Sequence, residues 1–82
     1  MKITVYTGKQ CPKCPQAKMV AKQVASEKNL EFEELDIEEF MIEALQMQIA
    51  STPSIVLDDE VLYRGVVPTK SELIEEVEKR SG

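Results

Sequence analysis

Hydrophobic and polar positions change period several times along the chain, and each change marks an element. Ile3 and Val5, interleaved with the β-formers Thr4 and Tyr6 and bounded by Gly8, predict a short buried strand. After Cys14 the period lengthens. Ala17, Val20, Ala21 and Val24 recur at i, i+3, i+4 and i+7, an apolar helix face that leaves Lys18 and Lys22 pointing outward. Lys28-Asn29 stops this helix, because asparagine tolerates the left-handed conformation that ends one. Residues 30–37 read as a second strand with Leu30 and Phe32 on one face; the alternation slips before Leu35 and Ile37, which leaves the register open.

Residues 38–48 carry Phe40, Met41, Ala44, Leu45 and Met47 at helical spacing, with acids at the start, where the helix dipole favours them. Met41 and Met47 are expected in the core. Ser51-Thr52-Pro53 breaks the pattern. Ile55-Val56-Leu57 and Val61-Leu62-Tyr63, separated by Asp58-Asp59-Glu60, predict a β-hairpin that ends at Gly65. Thr69-Lys70-Ser71-Glu72 fits a capping box that opens a last helix with Leu73, Ile74 and Val77 inward. The order is β-α-β-α-β-β-α. It predicts an α/β fold in one domain, residues 1–82: a four-stranded mixed sheet with a right-handed parallel crossover, an antiparallel hairpin and helices on both faces.

Composition narrows the function. The 82 residues suffice for one small core and are 43% hydrophobic and 30% charged, which suits a folded protein and not a disordered one. No apolar run approaches a membrane span, and residues 1–8 lack the apolar stretch of a signal peptide, so a cytoplasmic protein without membrane association is expected. The net charge of −5 argues against nucleic-acid binding. It is unevenly spread: residues 1–28 hold six lysines against one acid, and residues 29–82 hold four basic residues against fourteen acids. The basic segment contains the cysteines and points to acidic partners, an attraction that salt would weaken. An equally good account is an ordinary solvated helix face. No apolar stripe remains once the core helices are built, so a monomer is expected.

The chemistry lies in Thr7-Gly8-Lys9-Gln10-Cys11-Pro12-Lys13-Cys14-Pro15. A bridge between Cys11 and Cys14 closes a tiny loop and is a poor staple, but it is well placed to open and close. The motif sits where a strand gives way to a helix, so Cys11 is expected at or beside the helix N-terminus. Unpaired N–H groups and the dipole there stabilise a thiolate, and Lys9 and Lys13 add to the effect. Cys14 follows one helical turn later as the less accessible thiol, which makes Cys11 the attacking and Cys14 the resolving cysteine. Pro12 fits the first helical position; Pro15 is expected to disturb the torsions of Cys14 and the first turn. The same C-x-x-C is half of a zinc site, yet two cysteines and no histidine leave a single chain short of four ligands. A metal- or cluster-binding dimer stays open as a non-catalytic alternative and predicts metal in the purified protein.

With this element order, Cys11-Pro12-Lys13-Cys14-Pro15 after the first strand and Thr52-Pro53 before the third, the whole chain resembles the thioredoxin-fold redoxins. Tyr6-Thr7 and Gly65-Val66-Val67-Pro68 add to the likeness with the small glutaredoxin-like and archaeal-type members. The resemblance implies a thiol–disulfide oxidoreductase with no cofactor beyond its own cysteines, in which Thr52 and Pro53, as a cis-proline pair, pack against the disulfide and offer backbone to an extended substrate. Lys9, Pro12, Lys13 and Val66 are the further substrate-binding candidates, and protein disulfides and a protein reductase are the implied partners. The chain departs from thioredoxins in having Gln10 where tryptophan precedes the first cysteine and Val5 where a buried aspartate would lie, which leaves the proton of Cys14 without a named acceptor. It departs from glutathione-dependent glutaredoxins in having Gly8 three residues before Cys11 in place of a basic residue, and Gly65-Val66-Val67-Pro68-Thr69 in place of a Gly-Gly-x-Asp-like segment. A thioredoxin-like role is therefore expected, with a glutathione-linked glutaredoxin as the alternative.

Overall fold

β1 (Lys2–Thr7) occupies the centre of the molecule because its residues are buried on both sides. The computed structural model describes residues 1–81 and carries the chain from β1 through α1 (Cys14–Lys28) to β2 (Glu31–Asp36), which lies parallel beside β1. It continues through α2 (Met41–Gln46) to β3 (Ser54–Leu57), β4 (Glu60–Arg64) and α3 (Lys70–Ser81). β3 runs antiparallel to β1, and β4 antiparallel to β3, so the sheet order is β2-β1-β3-β4. This is the mixed four-stranded sheet expected from the sequence.

Alternation along β1 divides the core into two. Ile3 and Val5 face α1 and α3 and pack with Ala17, Ala21, Val24 and Leu73. Tyr6 faces the other way and packs with Ala44, Ile49 and Val56 beneath α2. Burial pushes the Tyr6 phenol above its ordinary 10.0, with Glu43 and Glu33 adding to the rise. The slip in β2 has a plain cause. Leu30 and Phe32 pack on the α1 side, whereas Leu35 and Ile37 pack on the α2 side, so both halves of the segment are apolar but toward opposite layers. Lys18 also differs from expectation. It does not point outward but leans from α1 onto β2, where its ammonium lies 2.9 Å from Glu34. Lys22 lies along the same flank, 5.6 Å from the Phe32 ring centroid.

The element over residues 38–48 is shorter than its spacing predicted. Asp36 Oδ1 accepts the amides of Glu38 and Glu39 at 2.8 and 3.4 Å, which holds a turn in place of a first helical turn. The helix starts at Met41, and Gln48 ends it in a left-handed conformation (φ 58°), with the Ile49 amide returning to Ala44 at 2.8 Å. A helix this short buries only Ala44. Met47 packs partly against the core, but Met41, Ile42 and Leu45 are exposed, Ile42 by 70%. The expectations that Met41 is core and that no apolar face is left over are thereby corrected, and with the second falls the argument for a monomer.

Other local readings hold, the hairpin loop to within one residue. Asn29 ends α1 at φ 60°. The hairpin loop is Asp58-Asp59, with Asp58 at φ 53° and Leu57 paired to Glu60, one residue tighter than read from the sequence. At the start of α3 the Thr69 amide donates to the Glu72 carboxylate at 2.9 Å, and the Glu72 amide donates to the Thr69 hydroxyl at 3.1 Å. Both halves of a capping box are made. Thr69→Ala removes one of them and is expected to lower stability by about 1 kcal/mol, read as a fall in the urea midpoint at unchanged slope.

Candidate active site

The C-terminal ends of β1 and β2 converge on the segment that leads into α1, and the cysteines sit there. Cys11 and Cys14 are joined as a disulfide with their Cα atoms 5.4 Å apart, and the Cys14 amide donates to the Cys11 carbonyl at 3.3 Å. α1 begins at Cys14, with Lys13 as its N-cap residue. Cys11 and Pro12 therefore belong to the preceding turn, which corrects the expectation that Pro12 takes the first helical position. Pro15 takes up the first-turn role instead: its missing N–H lies where helix amides have no partner, so it does not distort the helix, and Cys14 is helical. Pointing inward from the first turn, Cys14 is only 4% exposed, while Cys11 is half-buried.

The second part of the site is built by the segment before β3. Thr52-Pro53 is a cis peptide, and Pro53 is fully buried. Its carbonyl accepts the Gly65 amide at 2.7 Å, which ties this segment to the end of β4, and the Ser54 hydroxyl donates to the Ser51 carbonyl at 2.7 Å. Two glycines allow the close approach. A Cβ on Gly8 would lie 3.2 Å from the Thr52 hydroxyl. One on Gly65, at φ 73°, would lie 2.8 Å from the Ser51 hydroxyl, so Gly65 serves both the conformation and the contact.

Cys11 lies between two hollows. The first, about 260 Å³, is lined by Gln10, Cys11, Pro12, Lys13, Thr52 and Gly65. Of the residues expected to bind substrate, the structure gathers Pro12, Lys13 and Thr52 here. Pro53, next to Thr52, is buried and outside the lining, and Val66, 51% exposed, is outside it too. The second hollow, about 270 Å³, lies on the β2 side and is lined by Cys14 as well as Cys11, with Lys9, Lys18, Thr7 and Glu34 around it. Lys9 is thus on the opposite side from Thr52, largely exposed and 3.7 Å from Glu38. The sequence assigns no place at the site to Glu34, and puts Lys18 only on the outer face of the helix.

Electrostatics around the site are milder than the lysine count suggested. Lys9 and Lys18 beside the site, and Lys2 and Lys28 at the far ends of β1 and α1, each pair with an acid from the second part of the chain. These pairs are at least one-third exposed on one side or both, a class worth about 0–1 kcal/mol each, so they cancel local charge more than they stabilise. Lys13 has no ion pair among the described residues.

The thioredoxin domain family profile matches residues 1–78. A thioredoxin of Methanocaldococcus jannaschii is 37% identical over 82 residues, covering 98% of this chain and 95% of its own. The chain belongs to the thioredoxin family. A probable thioredoxin of Archaeoglobus fulgidus is 34% identical over 80 residues, covering 95% of this chain and 87% of its own. The structure of thioredoxin 1 from Thermosipho africanus superposes with a TM-score of 0.78 at 22% identity, covering 98% of this chain and 93% of that one. A domain of the alkylhydroperoxide reductase AhpF of Enterococcus faecalis gives 0.80 at 27% identity over 92% of this chain and 36% of that one. As a thioredoxin-family member the chain is a thiol–disulfide oxidoreductase that uses its own dithiol and disulfide, acts on protein disulfides and is reduced by a reductase. No helix of the described residues is long and apolar enough to cross a membrane.

Proposed function

We propose that Cys11 is the attacking thiolate and Cys14 the resolving thiol of a general protein-disulfide reductant. The observation that carries this division is exposure: Cys11 opens onto the hollow shared with Thr52 and Gly65, whereas Cys14 is 4% exposed and is absent from that lining. A substrate strand laid along the hollow meets Thr52 backbone, with Pro12 and Val66 as apolar contacts and Lys13 as the cation offered to acidic partners. With the neighbouring Lys9 and Lys18 already paired, steering of such partners is modest and falls with salt. Pro53, next to Thr52, shapes the hollow. The protein acts in the cytoplasm without a metal or other added cofactor, over a single domain, residues 1–82, and receives its electrons from a protein reductase.

The source of electrons separates this reading from a glutaredoxin. The segment entering α3 is Gly65-Val66-Val67-Pro68-Thr69, in which Val66 and Val67 offer no polar side chain to a small peptide thiol and Pro68 offers no amide. Insulin disulfide reduction is expected with dithiothreitol and absent with glutathione, its reductase and NADPH as the sole electron source. Equal turnover with glutathione would contradict the reading.

A further inference from the structure

Resolution of a mixed disulfide on Cys11 needs the proton of Cys14 to leave a thiol that is 4% exposed. Its outlet is the hollow on the β2 side, which Cys14 lines together with Cys11, Thr7, Lys9, Lys18 and Glu34. The charged groups on that lining are two amines and one carboxylate; the Glu38 carboxylate lies off the lining, 3.7 Å from Lys9. Glu34 reaches this place by strand geometry. It follows Leu30 and Phe32 at two-residue spacing on the α1 side and is the register partner of Val5, so it takes the position where that apolar row meets the cysteine end of the sheet. Two partners hold it: the Lys18 ammonium 2.9 Å from Oε1, and the Thr7 hydroxyl 3.3 Å from Oε2, which shares its hydrogen between Oε2 and the Leu35 carbonyl at 3.5 Å. Each oxygen keeps a further lone pair for a proton donor in the hollow. At about 270 Å³ the hollow has room for bridging water, each molecule filling about 30 Å³.

We propose that Glu34 accepts the Cys14 proton through this hollow, with Lys18 and Thr7 as the residues that position it. The proposal rests on the assignment of Cys14 as the resolving thiol. In the step, the Cys14 S–H bond breaks and its proton passes through water to the Glu34 carboxylate. The Cys14 thiolate attacks the Cys11 sulfur. The bond between Cys11 and the substrate sulfur breaks, and that sulfur leaves with the electron pair. The departing thiolate takes up one proton, so the protein pair is oxidised by two electrons and the substrate disulfide is reduced by two. An ion pair of this exposure contributes about 0–1 kcal/mol, so stability alone does not account for Glu34 and Lys18 lining this hollow, and the carboxylate faces space that water can fill.

The reaction of reduced protein with dithiobis(nitrobenzoate) separates the two steps. The first thionitrobenzoate is released when Cys11 forms the mixed disulfide, and the second when Cys14 resolves it. Glu34→Gln is expected to leave the first phase no slower than wild type and to slow the second about tenfold or more near pH 7, with a rate that now climbs with hydroxide and approaches wild type in alkali. Glu34→Asp should restore part of the rate, and Lys18→Met should slow the second phase less than Glu34→Gln. An unchanged second phase overturns the proposal. So does a faster one, because loss of a negative charge that acted only electrostatically would favour the Cys14 thiolate. A slowdown equal at every pH marks a structural effect and also overturns it. Fast first-phase release by Cys11→Ser would instead show that the cysteine roles themselves are reversed, which is a separate failure.

Discussion

Cys11→Ser is expected to lower insulin reduction by roughly a thousandfold or more, and Cys14→Ser is expected to accumulate a covalent adduct with substrate. Serine keeps the size of cysteine but does not form a nucleophilic anion at neutral pH, so the first exchange does not start. With Cys14 replaced, the first exchange proceeds and stops, since no second sulfur lies within reach of Cys11; these are the only two cysteines of the chain. The Cα atoms 5.4 Å apart and the helical first turn at Cys14 already place the resolving sulfur for attack, so resolution needs no movement of the fold. Non-reducing electrophoresis after incubation with a disulfide-bonded protein reads both outcomes. Fast turnover by Cys11→Ser, or the absence of any adduct with Cys14→Ser, would contradict the assigned order.

Ile55→Ala is expected to produce the largest loss of stability. Ile55 is fully buried on β3, between its register partners Val5 on β1 and Tyr63 on β4, and packs into the layer that joins α1 and α3 to the sheet. Truncation removes transfer free energy and leaves a cavity that strands on both sides prevent from closing. The cost is about 2–5 kcal/mol, against a total of about 5–15 kcal/mol for a domain. In an 82-residue chain with a small core, that loss brings the unfolding midpoint near ambient conditions. Urea unfolding checks it: the midpoint falls steeply and the slope is preserved. A shift as small as that of Thr69→Ala would mean that this layer relaxes around the gap.

What the sequence made legible was chemistry that acts over a few residues. Thr69 and Glu72 spell out a capping box, Asp58-Asp59-Glu60 a hairpin turn to within one residue, and Cys11 to Pro15 a redox motif at a strand-to-helix junction, because each satisfies its own backbone or carries its own reactivity. Spacing failed where the outcome depended on what lay opposite. Helical periodicity over residues 38–48 did not weigh Asp36, whose carboxylate competes for the amides of the first turn, nor the left-handed turn at Gln48. It also could not distinguish Ala44, which meets the sheet, from Met41 and Leu45, which meet solvent. The reading that gave the helix start to Pro12 and a disturbed first turn to Pro15 failed because the boundary lies at Cys14, which puts Pro15 where a missing amide costs nothing. Glu34 had a signal that went unused: two residues after Phe32, it extends an apolar strand face toward the cysteines, where a charge calls for an explanation.

The account holds that one disulfide in the protein is exchanged for one in the substrate, with nothing else consumed. Intact-mass measurement after mixing equal amounts of reduced protein and insulin tests it most directly. The protein is predicted to lose about 2 Da, with no lasting adduct, as insulin chains separate in proportion to the disulfide formed between Cys11 and Cys14. Recovery of unchanged dithiol protein, or insulin reduction without a Cys11–Cys14 disulfide in the product, would contradict it.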